Sequence, residues 1–166
     1  MPEFWVDTDS LIAPYRGPYS FSYGTSFWDF IESKAREGII ASPKIVFERE
    51  LATTLPIENK DALELWAREL LGILFLPPEP SVQAEYSRVV NYVQSSGRYG
   101  QQWIASWLGI ADPWIVAYPM ALGGRIVTFE TPAPNGQKPK IPDVANNFGI
   151  SCISIWDMLK ELNFRI

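Results

Sequence analysis

The sequence contains no histidine and a single cysteine, Cys152. Without imidazole there is no Ser-His-Asp triad, no Cys-His dyad and no His-ligated metal. One thiol excludes a disulfide within the chain and any multi-cysteine zinc site. An excess of positive charge is missing too. Fourteen basic residues face 19 acidic ones, for a net charge of -5, which is not the profile of a basic nucleic-acid clamp. Nucleic acid stays open, because carboxylates that bind a cation themselves push the balance negative. No apolar run approaches the roughly 18–20 residues of a membrane span. The N-terminus, MPEFWVDTDSLIAPYRG, lacks a basic stretch followed by an apolar one. The expectation is therefore a cytoplasmic protein with no membrane partner.

What is present is a globular composition. The chain has 166 residues, 47% of them hydrophobic and 20% charged, which suits one domain spanning residues 1–166. Glu3 to Val6 is rich in β formers and ends at Asp7-Thr8-Asp9-Ser10, which is helix-cap chemistry. A short helix over Ser10 to Ile12 and a loop over Tyr15 to Gly24 follow. Ser26 is expected to cap a helix over Phe27 to Glu37. Ile39 to Ala41 is an extended entry, and Ser42-Pro43 reads as an N-cap with proline at the first helical position. Helices are expected over Lys44 to Thr53, Asp61 to Leu71, Val82 to Val93, Trp103 to Trp107 and Ala111 to Leu122. Leu74 to Leu76, Arg125 to Phe129 and Cys152 to Ser154 read as strands. Thr131 to Pro142 reads as a loop, and Ile141 to Gly149 and Ile155 to Leu162 as helices. Short strands that each lead into a helix argue for an α/β fold: three layers, α/β/α, with a central parallel sheet of about four or five strands.

In such sheets, sites form at the carboxyl ends of the strands. Asp7 stands just past the first strand and Glu130 just past the strand ending at Phe129. Asp112 opens the helix that leads into that strand. Glu48 and Glu50 lie on the helix after the extended segment. Carboxylates brought together repel one another and need a hard cation to stay ionised. Oxygen ligands without His or Cys select Mg²⁺ or Mn²⁺ over Zn²⁺, and such ions support in-line displacement at phosphodiesters. Each acid also has a plainer reading. Asp7 and Asp9 would serve as helix caps, Glu48 and Glu50 as a solvated helix face, Asp112 before Pro113 as an N-cap, and Glu130 as a loop residue. Trp103, Trp107 and Trp114 favour core or partner packing over base stacking. Lys138 and Lys140 read as solvated loop residues with phosphate contact as the alternative.

The ordered set of motifs resembles the PIN domain of VapC-type toxin ribonucleases. More closely, it resembles a PIN-like family of largely uncharacterised toxin-type proteins. The matching pieces are Val6 to Ile12, Ser26 to Phe30, Ser42-Pro43 through Glu50-Leu51, Asp61 to Ala67, Ala111 to Ala117, Ile126 to Glu130 and Lys140 to Val144. The resemblance implies a Mg²⁺- or Mn²⁺-dependent endoribonuclease, the toxin of a toxin–antitoxin pair. Its RNA substrate and a cognate antitoxin are the implied partners, and a homodimer is expected as well. By position, Asp7, Glu50, Asp112 and Glu130 are the implied catalytic and metal-binding acids. Glu48 fits the second place about as well as Glu50. Asp9 stands where Asn or Ser is common, Thr128 precedes the fourth acid by two residues, and Asp143 belongs to the Ile-Pro-Asp-Val motif, with helix capping as its plain reading. A structure-specific DNA nuclease and a non-catalytic protein-interaction module are the alternatives.

Overall fold

The computed structural model describes residues 1–166. Five strands form the sheet: β1 (Phe4–Val6), β2 (Ile40–Pro43), β3 (Phe75–Leu76), β4 (Arg125–Val127) and β5 (Cys152–Ile153). Their order is β3-β2-β1-β4-β5 and every pairing is parallel. Nine helices connect and cover them: α1 (Asp9–Arg16), α2 (Thr25–Arg36), α3 (Lys44–Val46), α4 (Ala62–Glu69), α5 (Pro80–Ser95), α6 (Gln101–Leu108), α7 (Asp112–Leu122), α8 (Ile141–Asn147) and α9 (Ile155–Glu161). The result is the expected three-layer α/β/α architecture. No helix is long and apolar enough to cross a membrane.

The strands are very short, so burial rather than ladder length holds them. Phe4, Trp5 and Val6 are all buried, as expected where helices cover both faces of a parallel sheet. Side chains alternate between faces. Trp5 packs with Ala41, Val82, Ala117 and Tyr118, which places α5 and α7 over that side. Phe4 and Val6 join the main core with Phe27, Trp28 and Ile31 of α2. The Trp5 indole also donates to the Gly123 carbonyl at 2.8 Å, tying the end of α7 to β1. Gly124 follows with φ +102°, and a Cβ there would sit 2.8 Å from the Pro2 carbonyl. Only glycine lets β4 begin this close to β1.

Several local expectations differ from the structure. α1 continues to Arg16 with Pro14 inside it; Pro14 is buried, and packing outweighs the lost backbone donor. The cap of α2 is Gly24, and Ser26 lies within its first turn. The preceding loop closes so tightly that a Cβ at Gly24 would meet the Tyr19 Cα at 2.4 Å. Ser42 is a strand residue, not a cap: its hydroxyl donates to the Val6 carbonyl at 2.7 Å, across to β1. The helix beginning at Lys44 changes after Val46 into a π-helical turn over Phe47–Leu51. Ala52 N donates to Phe47 O at 2.7 Å, five residues back.

The sheet order fixes where a site belongs. The chain runs outward from β1 through β2 to β3, then returns to the other side of β1 for β4 and β5. The winding reverses between β1 and β4. In open parallel sheets a crevice forms at that reversal, beyond the carboxyl ends of the strands.

Candidate acid cleft at the switch point

β1 ends at Val6, so Asp7 is the first residue beyond it. Its backbone N–H still donates to Val127 of β4 at 3.0 Å, which holds the residue at the mouth of the crevice. Its carboxylate is fixed on both oxygens. Oδ1 accepts from Ser10 N at 3.2 Å and Oδ2 from the Thr128 hydroxyl at 2.6 Å. Asp7 therefore does contribute to the start of α1, as its plain reading anticipated, and it also faces the crevice. Thr128 is buried and relays further, accepting from Glu130 N at 3.1 Å. Glu130 in turn accepts from Ile141 N at 2.7 Å. This links the loop after β4 to the first residue of α8.

Asp112 comes from the opposite direction. Ala111, not Asp112, occupies the cap position of α7, and Asp112 is its first helical residue with no capping hydrogen bond. Proline at the next position suits this arrangement, because its missing N–H falls in a turn whose donors are unpaired anyway. Glu50 arrives on the π turn and accepts from Ala111 N at 3.3 Å. The extra residue in that turn separates the two candidates for the second acid. Glu48 is exposed, lies 3.6 Å from Lys44 and lines a different hollow with Trp114 and Tyr118. Turns of this kind are often found at functional sites.

Asp7, Asp9, Glu50, Asp112 and Glu130 thus line one open cleft of about 280 Å³, together with Thr8, Ile12 and Ile110. No Lys or Arg is among the lining residues. The electrostatic consequence falls on the two most buried acids. Burial, then Glu130, Asp7, Glu50 and Asp9, push the Asp112 carboxyl up to about 7. Burial pushes Asp7 up to about 6; the Thr128 and Ser10 hydrogen bonds pull it down, and Asp9 and Glu130 raise it again. No group of three or more acidic or thiol side chains is spaced to hold a metal ion as the side chains stand.

Asp143 is not in this cleft and is not a cap. It is buried, accepts from Ala133 N at 2.8 Å and lies 3.6 Å from the Arg98 guanidinium. Arg98 also donates to Pro134 O at 2.9 Å. Together they pin the loop between Glu130 and α8. Trp107 is buried and Trp114 half-buried against Tyr86, with ring centroids 3.9 Å apart, so these two are packing residues. Trp103 is exposed and has the Lys138 ammonium 5.6 Å above its ring. Thr8, Ile12 and Ile110 were not expected in the cleft. Ser10 was read only as helix-cap chemistry, and its N–H anchors Asp7 instead. Its spacing from Asp7 is that of a capping pair, which was the available signal.

Residues 4–166 match the family described as a domain of unknown function (DUF4411). The chain belongs to this family. No curated protein and no solved structure matches it. The match to the family runs from the first residue of β1 past the end of α9, so it takes in every acid of the cleft.

Proposed function

We propose that this member of the family is a divalent-cation-dependent endoribonuclease of the PIN type, with the acid cleft as its active site. The observation that carries the reading is the convergence of five carboxylates from four separate segments on the switch point, in a cleft whose lining includes no Lys or Arg. Fixing such a set in the folded state raises the cost of ionising each member. Acids kept for structure alone are usually paired, so an unpaired set in a crevice supports a functional role.

The donor chemistry fits a hard cation. All the side-chain donors are oxygens, with no imidazole or thiolate in the lining, which suits Mg²⁺ or Mn²⁺. Asp7, Glu50, Asp112 and Glu130 would hold the ion, with Asp9 at the rim. When bound, the ion supplies Lewis acidity at a phosphodiester and lowers the pKa of bound water. The chain's own contributions follow from its hydrogen bonds. Thr128 and Ser10 hold the Asp7 carboxylate in one orientation. Ile141 N does the same for Glu130. Asp112, pushed up to about 7, is the group that would give up a proton on binding a cation near neutral pH. Glu50 is exposed on its turn, held by the single hydrogen bond from Ala111 N. The roles of cytoplasmic toxin, and of an antitoxin protein as partner, rest on the resemblance of the motifs.

The test is cleavage of end-labelled RNA and DNA strands with Mg²⁺ or Mn²⁺, with and without chelator. Metal-dependent cleavage of RNA is expected. Cleavage of DNA alone would turn the reading to a DNA nuclease, and intact RNA beside folded, metal-loaded protein would overturn it.

A further inference from the structure

The loop that carries Glu130 away from β4 returns to the core at α8, and two acids tie its ends crosswise. Glu130, on the outgoing arm, accepts from Ile141 N at the start of α8 at 2.7 Å. Asp143, the third residue of α8, accepts through Oδ2 from Ala133 N on the outgoing arm at 2.8 Å. Each arm thus supplies a carboxylate to the backbone of the other. The turn between α5 and α6 closes this clasp from outside. Arg98 in that turn lies 3.6 Å from Asp143 Oδ1 and donates to Pro134 O at 2.9 Å. Gly100, two residues on, donates its N–H to Gln137 O at 3.0 Å.

We propose that Asp143 is a positioning residue for Glu130: through the clasp it fixes where the start of α8 meets the loop, and so aims the carboxylate that lines the acid cleft. The proposal rests on the reading of Glu130 as a cation ligand. α8 has other means of staying in the fold. Ile141, Val144 and Ala145 are buried in the main core, and apolar burial of that kind anchors a helix without direction. It leaves open how the loop closes on the helix, which charge-assisted hydrogen bonds can settle. Asp143 is buried, and both of its polar partners hold the loop: Ala133 belongs to it, and Arg98 grips the Pro134 carbonyl. The Glu130 carboxylate has a single hydrogen-bond donor, Ile141 N. Its direction therefore follows wherever that amide is placed. Partners that orient a metal-binding side chain are typically worth about 10–100-fold in metal affinity.

The experiment has one arm without metal and one with it. Asp143→Ala cuts the clasp from α8, and Ala133→Pro removes the donor from the half-buried loop with the core untouched. Without metal, both should quicken hydrogen exchange at the Ile141 amide by about tenfold or more. The Ser42 amide, bonded to Leu74 O on the far side of the sheet, should keep its rate. Asp143→Asn retains an oxygen for Ala133 N and should stay within about threefold of wild type. In calorimetry, Asp143→Ala and Ala133→Pro should bind Mn²⁺ about tenfold more weakly than wild type. In a Glu130→Ala background, Asp143→Ala should cost less than about twofold more, because the side chain it positions is gone. Unchanged Ile141 exchange in both variants, equal loss of protection at Ile141 and Ser42, or Mn²⁺ losses that multiply would each overturn the positioning role. Faster exchange at Ile141 alone, in a protein whose wild type binds no Mn²⁺, would support the clasp and overturn the metal reading.

Discussion

Carboxylates are buried in two regions of this protein, and the two regions treat them in opposite ways. Glu64 on α4 is buried, yet every charge is answered. Burial would raise its pKa, but Thr53 donates through both its hydroxyl and its N–H, and Lys60 and Arg68 add ion pairs at 2.9 and 3.0 Å. The sum holds Glu64 down at about 2. In the acid cleft the acids accept hydrogen bonds from neutral N–H and hydroxyl groups but no Lys or Arg lines the cleft with them, and Asp112 is driven up to about 7. A satisfied buried carboxylate holds the fold, here by tying the segment after the π turn to α4. A set of like charges without a counter-charge costs stability, and such sets cluster at functional sites. The difference separates scaffold from site without reference to any relative.

The largest expected effect is on chemistry. Asp7→Asn and Asp112→Asn should each lower metal-dependent RNA cleavage by about a hundredfold or more, because each removes charge from a shared cation that both activates water and steadies the transition state. Neither should lower stability without metal, since relief of repulsion offsets what is lost. Full cleavage in either variant would remove that residue from the site.

Next is the counterpart. Glu64→Ala leaves Lys60, itself only 8% exposed, without its carboxylate. Breaking a buried pair from one side costs about 3–5 kcal/mol, which urea denaturation would read. A loss as small as that of a surface substitution would erase the contrast between the two regions.

The pH dependence of stability sharpens the same contrast. Asp7 and Asp112 have folded values of about 6 and about 7 against 3.8 when unfolded. Protonation therefore favours the folded state, and the metal-free protein should gain stability as pH falls from about 7 toward 4. Glu64 has the opposite sign, about 2 folded against 4.5 unfolded. Its contribution is complete above 4.5 and is lost as pH falls toward 2. A stability maximum near pH 4–5 is expected, with a rise on the order of a few kcal/mol from neutral pH. Saturating Mg²⁺ should flatten the neutral limb. Thermal melts across pH, with and without Mg²⁺, check this; a metal-free curve flat from pH 5 to 8 would contradict the shifts.

The smallest effect separates neighbours. Glu50→Gln should lower cleavage by about tenfold or more, by analogy with loss of ligand support at metal sites. Glu48→Gln should change it less than twofold, since an exposed pair such as Lys44–Glu48 contributes little. Equal effects would mean that the π turn does not distinguish them.

That turn also marks where the sequence stopped being readable. The alternation of short strands and helices was legible because burial on both faces demands apolar runs such as Phe4-Trp5-Val6. The position of Asp7 followed from where the first run ends, whereas β4 stops at Val127, two residues before the expected end, so Glu130 lies in the loop beyond it. The second acid did not follow, because an i to i+5 hydrogen bond from Ala52 to Phe47 has no residue signature. Ser42 looked like a cap because Ser-Pro usually is one, while its hydroxyl is spent on the Val6 carbonyl, a partner 36 residues away. Asp143 was similarly opaque. Its partners Ala133 and Arg98 are set by how the loop folds back.

The central claim is that the acid cleft holds a hard divalent cation. Titration calorimetry with Mn²⁺ at pH 6.5, repeated in two buffers of different ionisation heat, tests it most directly. The account predicts binding at or below millimolar concentration, with proton release on binding and affinity about tenfold or more weaker in Asp112→Asn. No heat of binding at millimolar Mn²⁺, or the same affinity in wild type and Asp112→Asn, would contradict it.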